Sequence, residues 1–119
     1  MLLQTPKGPV VKKATFPEDY PAPFGCEDFH VLVMSAGQKS RFEGQFVRGN
    51  GKPDQRKALQ MRERLAVATF CDESGELLLR EADVASLAQQ DGRIVGYIAE
   101  TAATANKIDE VELESIAKN

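Results

Sequence analysis

The sequence predicts an α+β domain, with an N-terminal β-strand or hairpin packed on a small bundle of four to five helices. Three observations carry that expectation. The run "CEDFHVLVM", residues 26–34, alternates with a period of two; helix-start signals recur at Ser35, Asp54, Glu81 and Asp109; and 119 residues supply about one domain.

Five of the six prolines fall within the first 25 residues, and each fixes φ and removes a backbone donor. An extended arm is therefore expected over residues 1–19, outside a single domain spanning 20–119. Its apolar residues Leu2, Leu3, Val10, Val11 and Phe16 are able to dock on the body or on a partner. In the strand that follows, Phe29, Val31 and Val33 share one face, and His30, Leu32 and Met34 share the other. A hairpin with residues 20–24 would make those proline-rich residues an edge strand.

Ser35 followed by Gln38 fits a capping box, so a helix is expected from Ala36 to about Val47. Phe42 and Phe46, four apart, should pack on the strand. "RGNGKPD" breaks the chain, and Asp54 can cap the next helix, "QRKALQMRERLAVATF". Leu59, Ala66 and Phe70 stack on its expected inner face, with Leu65 and Ala58 beside them.

"CDESGELLL" reads as a turn with Gly75 in the left-handed region, followed by a short apolar run. Glu81 and Asp83 suit the first turn of a helix containing Val84 and Leu87, where negative charge meets the helix dipole. Gly92 is expected to end or hinge that helix. A further helix carries Ile94, Tyr97, Ile98, Thr101, Ala102 and Ala105 along one side, and Asp109 can cap a last short helix, "EVELESIAK".

At 42% hydrophobic and 28% charged residues, the composition is that of a folding domain and not of a disordered chain. No apolar run approaches the roughly 20 residues that span a bilayer. The N-terminus also lacks the pattern of a secretory signal, so a soluble cytosolic protein is expected. Cys26 and Cys71 stand apart with no zinc-type spacing around them and read as free thiols. A single histidine, His30, on a strand leaves little to activate a nucleophile, and "RGNGK" is not a phosphate cradle. No catalytic, cofactor-binding or metal-ligating residues are assigned, and the chain is not expected to be an enzyme.

What remains is surface. Residues 1–66 carry 11 Lys and Arg against 7 Asp and Glu, whereas residues 67–119 carry 4 against 11. Such polarity can attract nucleic acid to the basic half or bring the basic surface of one copy to the acidic surface of another. The basic set Arg48, Lys52, Arg56, Lys57, Arg62 and Arg64 lacks interleaved aromatics and any recognition motif, so it reads first as a solvated helix face. A small nucleic-acid-binding or regulatory protein using helix 54–66 is the alternative. The stripe Ile94, Tyr97, Ile98 and Ala102 is either core or a partner-binding face. It is taken as the candidate partner surface, with Arg56, Lys57, Arg62 and Arg64 as a charged contact.

Taken in order, these pieces resemble the tail assembly chaperones of long, non-contractile-tailed phages and prophages. The resemblance lies in a short β-element leading into "SAGQKSRFE", with Ser35, Phe42 and Glu43, and then a Gly/Lys-rich break. "RERLAVATFCDESGELLL", the acidic "READVASLAQQDG" and a closing helix pair follow. It covers roughly residues 20–119; the order and spacing of the pieces carry it. Relatives place a "Leu-x-Gly-Leu" loop where this chain has "TANKIDEVELE", and the proline-rich arm has no counterpart.

The resemblance implies a protein of the host bacterial cytoplasm, made during morphogenesis and absent from the finished virion. It would bind the tape measure protein and help recruit tail tube subunits. It also implies a frameshifted, extended form of the chain, with which the terminal Ala117, Lys118 and Asn119 are compatible. Self-association is suggested by the charge polarity alone, and neither a membrane nor nucleic acid is an expected partner.

Overall fold

The computed structural model describes residues 8–108, and over that range the chain is an α+β fold. Three antiparallel strands, β1 (Val10–Thr15), β2 (Asp28–Val33) and β3 (Phe70–Cys71), lie in the order β1-β2-β3. β1 pairs along its whole length, from Val10 opposite Val33 to Thr15 opposite Asp28.

The expected arm is corrected here. Residues 10–15 form an edge strand of the fold, and Phe16 just behind it is 4% exposed in the core. The partner of β2 is this strand and not residues 20–24. Its return is built as a bulge: Phe16 N–H donates to Glu27 O at 3.0 Å, Cys26 N–H donates to Phe16 O at 3.1 Å, and Cys26 lies at φ 65°. That is the G1 arrangement, with cysteine where glycine is usual. Gly25 is required beside it, because a Cβ there would stand 2.8 Å from the Tyr20 carbonyl oxygen and 2.9 Å from that of Glu18.

Helix α1 (Ala36–Gly44) opens on the expected capping box. Ser35 Oγ accepts the Gln38 N–H at 3.2 Å, and Gln38 Oε1 accepts the Ser35 N–H at 2.8 Å. The helix stops before Val47, which bridges to Pro53 across a turn, while Phe42 and Phe46 bury their rings with centroids 5.2 Å apart.

The single helix expected over 55–70 is two. α2 (Gln55–Ala58) is capped by Asp54, whose carboxylate accepts the Lys57 N–H at 3.1 Å, and α3 (Met61–Thr69) follows after Gln60 leaves helical geometry at φ −103°, ψ 21°. Leu59, placed in the core by its spacing, instead sits at this break and is 87% exposed. Continuous apolar periodicity does not reveal an offset between two short helices.

Gly75 adopts φ 89° as the turn requires, and the chain returns along β3 with Leu77 bridged to Cys71. The helix expected from Glu81 shrinks to a 3-10 turn (Glu81–Asp83) and the single turn α4 (Val84–Leu87). Gly92 does not end it; it is the first residue of α5 (Gly92–Ala105), capped by Asp91 through the Arg93 N–H at 2.9 Å. The short helix expected after Asp109 lies outside the described residues.

The core joins Phe29 and Val31 of β2, Phe42 and Phe46 from the α1 region, Leu65 and Ala66 of α3, and Ile94, Ile98 and Ala102 of α5. Each large side chain buried there contributes about 1.5–3 kcal/mol. The end of α5 is closed by a Schellman cap. Lys107 lies at φ 54°, Ile108 N–H reaches Ala103 O at 2.8 Å, and Lys107 N–H reaches Thr104 O at 3.2 Å. Asn106 then clamps this end to β2: its Oδ1 accepts the Met34 N–H at 2.7 Å and its Nδ2 donates to Leu32 O at 3.1 Å. No helix among the described residues is long and apolar enough to cross a membrane.

Candidate functional site

The apolar stripe of α5 faces inward. Ile94 and Ile98 are each 5% exposed and Ala102 is fully buried, all three within the core cluster between β2 and α3. As a partner surface this part of the stripe is corrected: its side chains are already covered by the fold. Tyr97 is half-buried at the edge of the same core. Its ring stands 5.8 Å from Phe16, 5.7 Å from Tyr20 and 5.9 Å from Phe29, an aromatic cluster that ties the β1–β2 connection to α5.

The four basic candidates do not form one patch. Arg64 is 6% exposed and structural. It donates to Gln60 Oε1 at 2.8 and 3.1 Å, to Gln45 Oε1 at 3.1 Å and to Glu81 Oε1 at 2.8 Å, which fastens the end of α1 and the 3-10 turn onto α3. That guanidinium is engaged and not offered to a phosphate. Arg56 is exposed and Lys57 half-exposed on α2, and Arg62 is exposed on α3.

Arg62 leads to a feature that periodicity does not reveal. A groove of about 560 Å³ runs between α3 and α5. Its α5 side is made of Gly92, Gly96, Ala99 and Ala103, which follow one another at intervals of four, three and four residues and so lie along one helix face. Met61 and Leu65 of α3 form the opposite side, Tyr20 and Tyr97 line it as well, and Ile108 closes it beyond the end of α5. A Cβ built at Gly92 or at Gly96 would meet nothing within 4 Å, so the space beside both glycines is open.

The groove has polar and apolar lining in similar measure: Leu65, Ala99 and Ala103 are buried at its base, and Arg62, Arg93 and Glu100 stand at its rim. Arg93 is held in place: its Nη2 donates to Asp91 Oδ2 at 2.8 Å and its Nε to Asp91 Oδ1 at 3.1 Å. These bonds lower the Asp91 carboxyl below its ordinary range and raise the guanidinium, so both stay charged. The lining runs from Gly92 to Thr104, nearly the whole of a 14-residue helix, or about 20 Å. That length suits three or four turns of a second helix.

Among the described residues no group of three or more His, Cys, Asp or Glu could hold a metal ion. Cys71 is buried, and desolvation, with Asp72 adjoining, raises its thiol pKa, which keeps it protonated and unreactive. No protein-family model matches the chain, and neither a curated protein nor a solved structure shows significant similarity to it.

Proposed function

We propose that the chain holds an amphipathic helix of a client protein in the α3–α5 groove, acting as a tail assembly chaperone of a long, non-contractile-tailed phage. The client is the tape measure protein, and tail tube subunits are recruited to the complex in the host cytoplasm. The observation that carries the reading is the groove itself. It runs along nearly all of α5, with Gly92 and Gly96 allowing close backbone approach, Met61 and Tyr97 half-exposed along it, and both signs of charge at its rim. Helix-in-groove recognition needs this combination: apolar anchors on the floor and polar selection at the edge. The order of sequence elements that resembles the tail assembly chaperones supplies the identity of the client.

The test is co-expression with the tape measure protein encoded in the same genome. The client should stay soluble and co-purify with the wild type, and should be lost from a Gly96→Leu variant that fills the groove. A client that precipitates in the presence of the folded wild type overturns the chaperone reading.

A further inference from the structure

The sequence twice places a side-chain carbonyl directly before a glycine, in the spacing that allows a five-membered imide to close: Asn50–Gly51 and Asp91–Gly92. The fold treats the two oppositely. Both carboxylate oxygens of Asp91 are engaged: Oδ1 accepts the Arg93 backbone N–H at 2.9 Å and Nε–H at 3.1 Å, and Oδ2 accepts Nη2–H at 2.8 Å. Held charged at the cap of α5, this carboxylate is a poor electrophile.

Asn50 lies in the turn between α1 and α2, where Arg48 N–H donates to Lys52 O at 2.7 Å and Gly51 N–H donates to Arg48 O at 2.8 Å. Residues 48–52 are all exposed, and a Cβ at Gly49 or Gly51 would meet nothing within 4 Å, so opening the turn uncovers no buried side chain. Asn50 Oδ1 accepts the Lys52 N–H at 3.0 Å, which polarises the side-chain carbonyl and folds it back over the Gly51 peptide lying between. Its Nδ2 has no partner among the described residues and is free to leave. Gly51, at φ 81°, brings no Cβ to crowd its own nitrogen.

We propose that Asn50 is a site of spontaneous deamidation, with water as the only co-reactant. The Gly51 backbone nitrogen gives up its proton to solvent and bonds to Asn50 Cγ. The Cγ–Nδ2 bond breaks, and ammonia leaves on taking a proton back. Water then adds to one carbonyl of the cyclic imide and breaks its bond to the Gly51 nitrogen, so one water is consumed and one ammonia released. The positive charges of Arg48 and Lys52 on the same turn favour loss of the amide proton. Addition at Cγ leaves an aspartate whose carboxylate still accepts the Lys52 N–H. Addition at the main-chain carbonyl leaves isoaspartate, which lengthens the backbone by an atom and undoes the pairing of Arg48 with Lys52 ahead of α2. Either product adds a negative charge to a basic turn. The site is independent of the α3–α5 groove and of the client-binding reading.

The full folded chain, incubated in mildly alkaline buffer, tests it by peptide mapping with mass spectrometry, ammonia release and labelling by an isoaspartyl methyltransferase. Asn106 is the internal reference, because its Oδ1 accepts the Met34 N–H and its Nδ2 donates to Leu32 O and Ala102 O. Asn50 should lose its amide at least about tenfold faster than Asn106, whose bonds must break first. Methyl label should appear in the peptide holding residue 50 and be absent from an Asn50→Gln variant. In urea, where the Arg93 contacts are gone, isoaspartate should form at Asp91 as well. A folded chain in which Asn50 keeps its amide as long as Asn106, or in which Asp91 isomerises as fast as Asn50 reacts, would overturn the proposal.

Discussion

Gly96 offers the sharpest perturbation, because filling the groove and stabilising the helix should go together. It sits inside α5, fifth of 14 residues, and an added Cβ there meets nothing within 4 Å. Replacing glycine at a helix interior removes a conformational-entropy cost of about 0.5–1 kcal/mol. For a domain of this size that corresponds to a rise in melting temperature of roughly 2–6 °C. Gly96→Ala should capture that gain while leaving most of the groove open, and Gly96→Leu should capture it while placing an isobutyl group across the groove. Thermal unfolding followed by circular dichroism reads the first effect, and co-purification of the client reads the second. A Gly96→Leu protein that melts lower than wild type would mean that the space is not open in solution. One that melts higher yet keeps its client would remove the groove from the binding mechanism.

Three further outcomes follow from the packing and electrostatics. Tyr97→Asp places a carboxylate among Phe16, Tyr20 and Phe29 and should destabilise the fold by about 3 kcal/mol, seen as a lower urea midpoint, with Tyr97→Phe close to neutral. Arg64→Ala should cost about 1–3 kcal/mol, less than a fully buried ion pair would, because Glu81 remains 73% exposed to water. Asp72 accepts bonds from the Ser74 hydroxyl and from backbone N–H groups, which hold its carboxyl below the ordinary 3.8. The native state therefore binds this proton less readily than the unfolded chain, so the stabilisation is present above about pH 4 and lost as pH falls through the lower native value. The stability gap between wild type and Asp72→Asn should accordingly close in acid, and a gap that persists unchanged at about pH 2 would refute the assignment.

The elements that could be read from the residues are those whose signal is local. β2 shows alternation because its inner face, Phe29 and Val31, is buried. The caps at Ser35 and Asp54 and the turn at Gly75 follow from side chains acting on their own backbone. β1 escaped this logic. Its two valines are adjacent and its two lysines follow, so a half-exposed edge strand carries no alternation to detect, and its pairing is written in the partner. The break at Leu59–Gln60 has no glycine or proline to mark it. On α5, periodicity identifies an apolar face but is silent on what covers it. Ile94, Ile98 and Ala102 turned out to be core, while the α5 side of the groove beside them includes residues that lack bulk. A scan weighted toward large apolar side chains passes over Gly92, Gly96, Ala99 and Ala103, although their spacing along one face was there to be noticed.

The clamp made by Asn106 has a consequence for whatever the chain carries on its C-terminal side. Met34, which it binds, directly follows Val33, the partner of Val10, so both ends of the described chain leave from one corner of the molecule. Ile108, two residues on, lines the groove. A domain carried beyond residue 119 would be tethered to the groove's mouth through the eleven residues that follow Ile108 in the sequence. A client seated in the groove would then meet that domain as a tethered second site, at an effective concentration on the order of millimolar for a short linker. Two weak contacts would hold the client as one strong one, with no new surface on either partner.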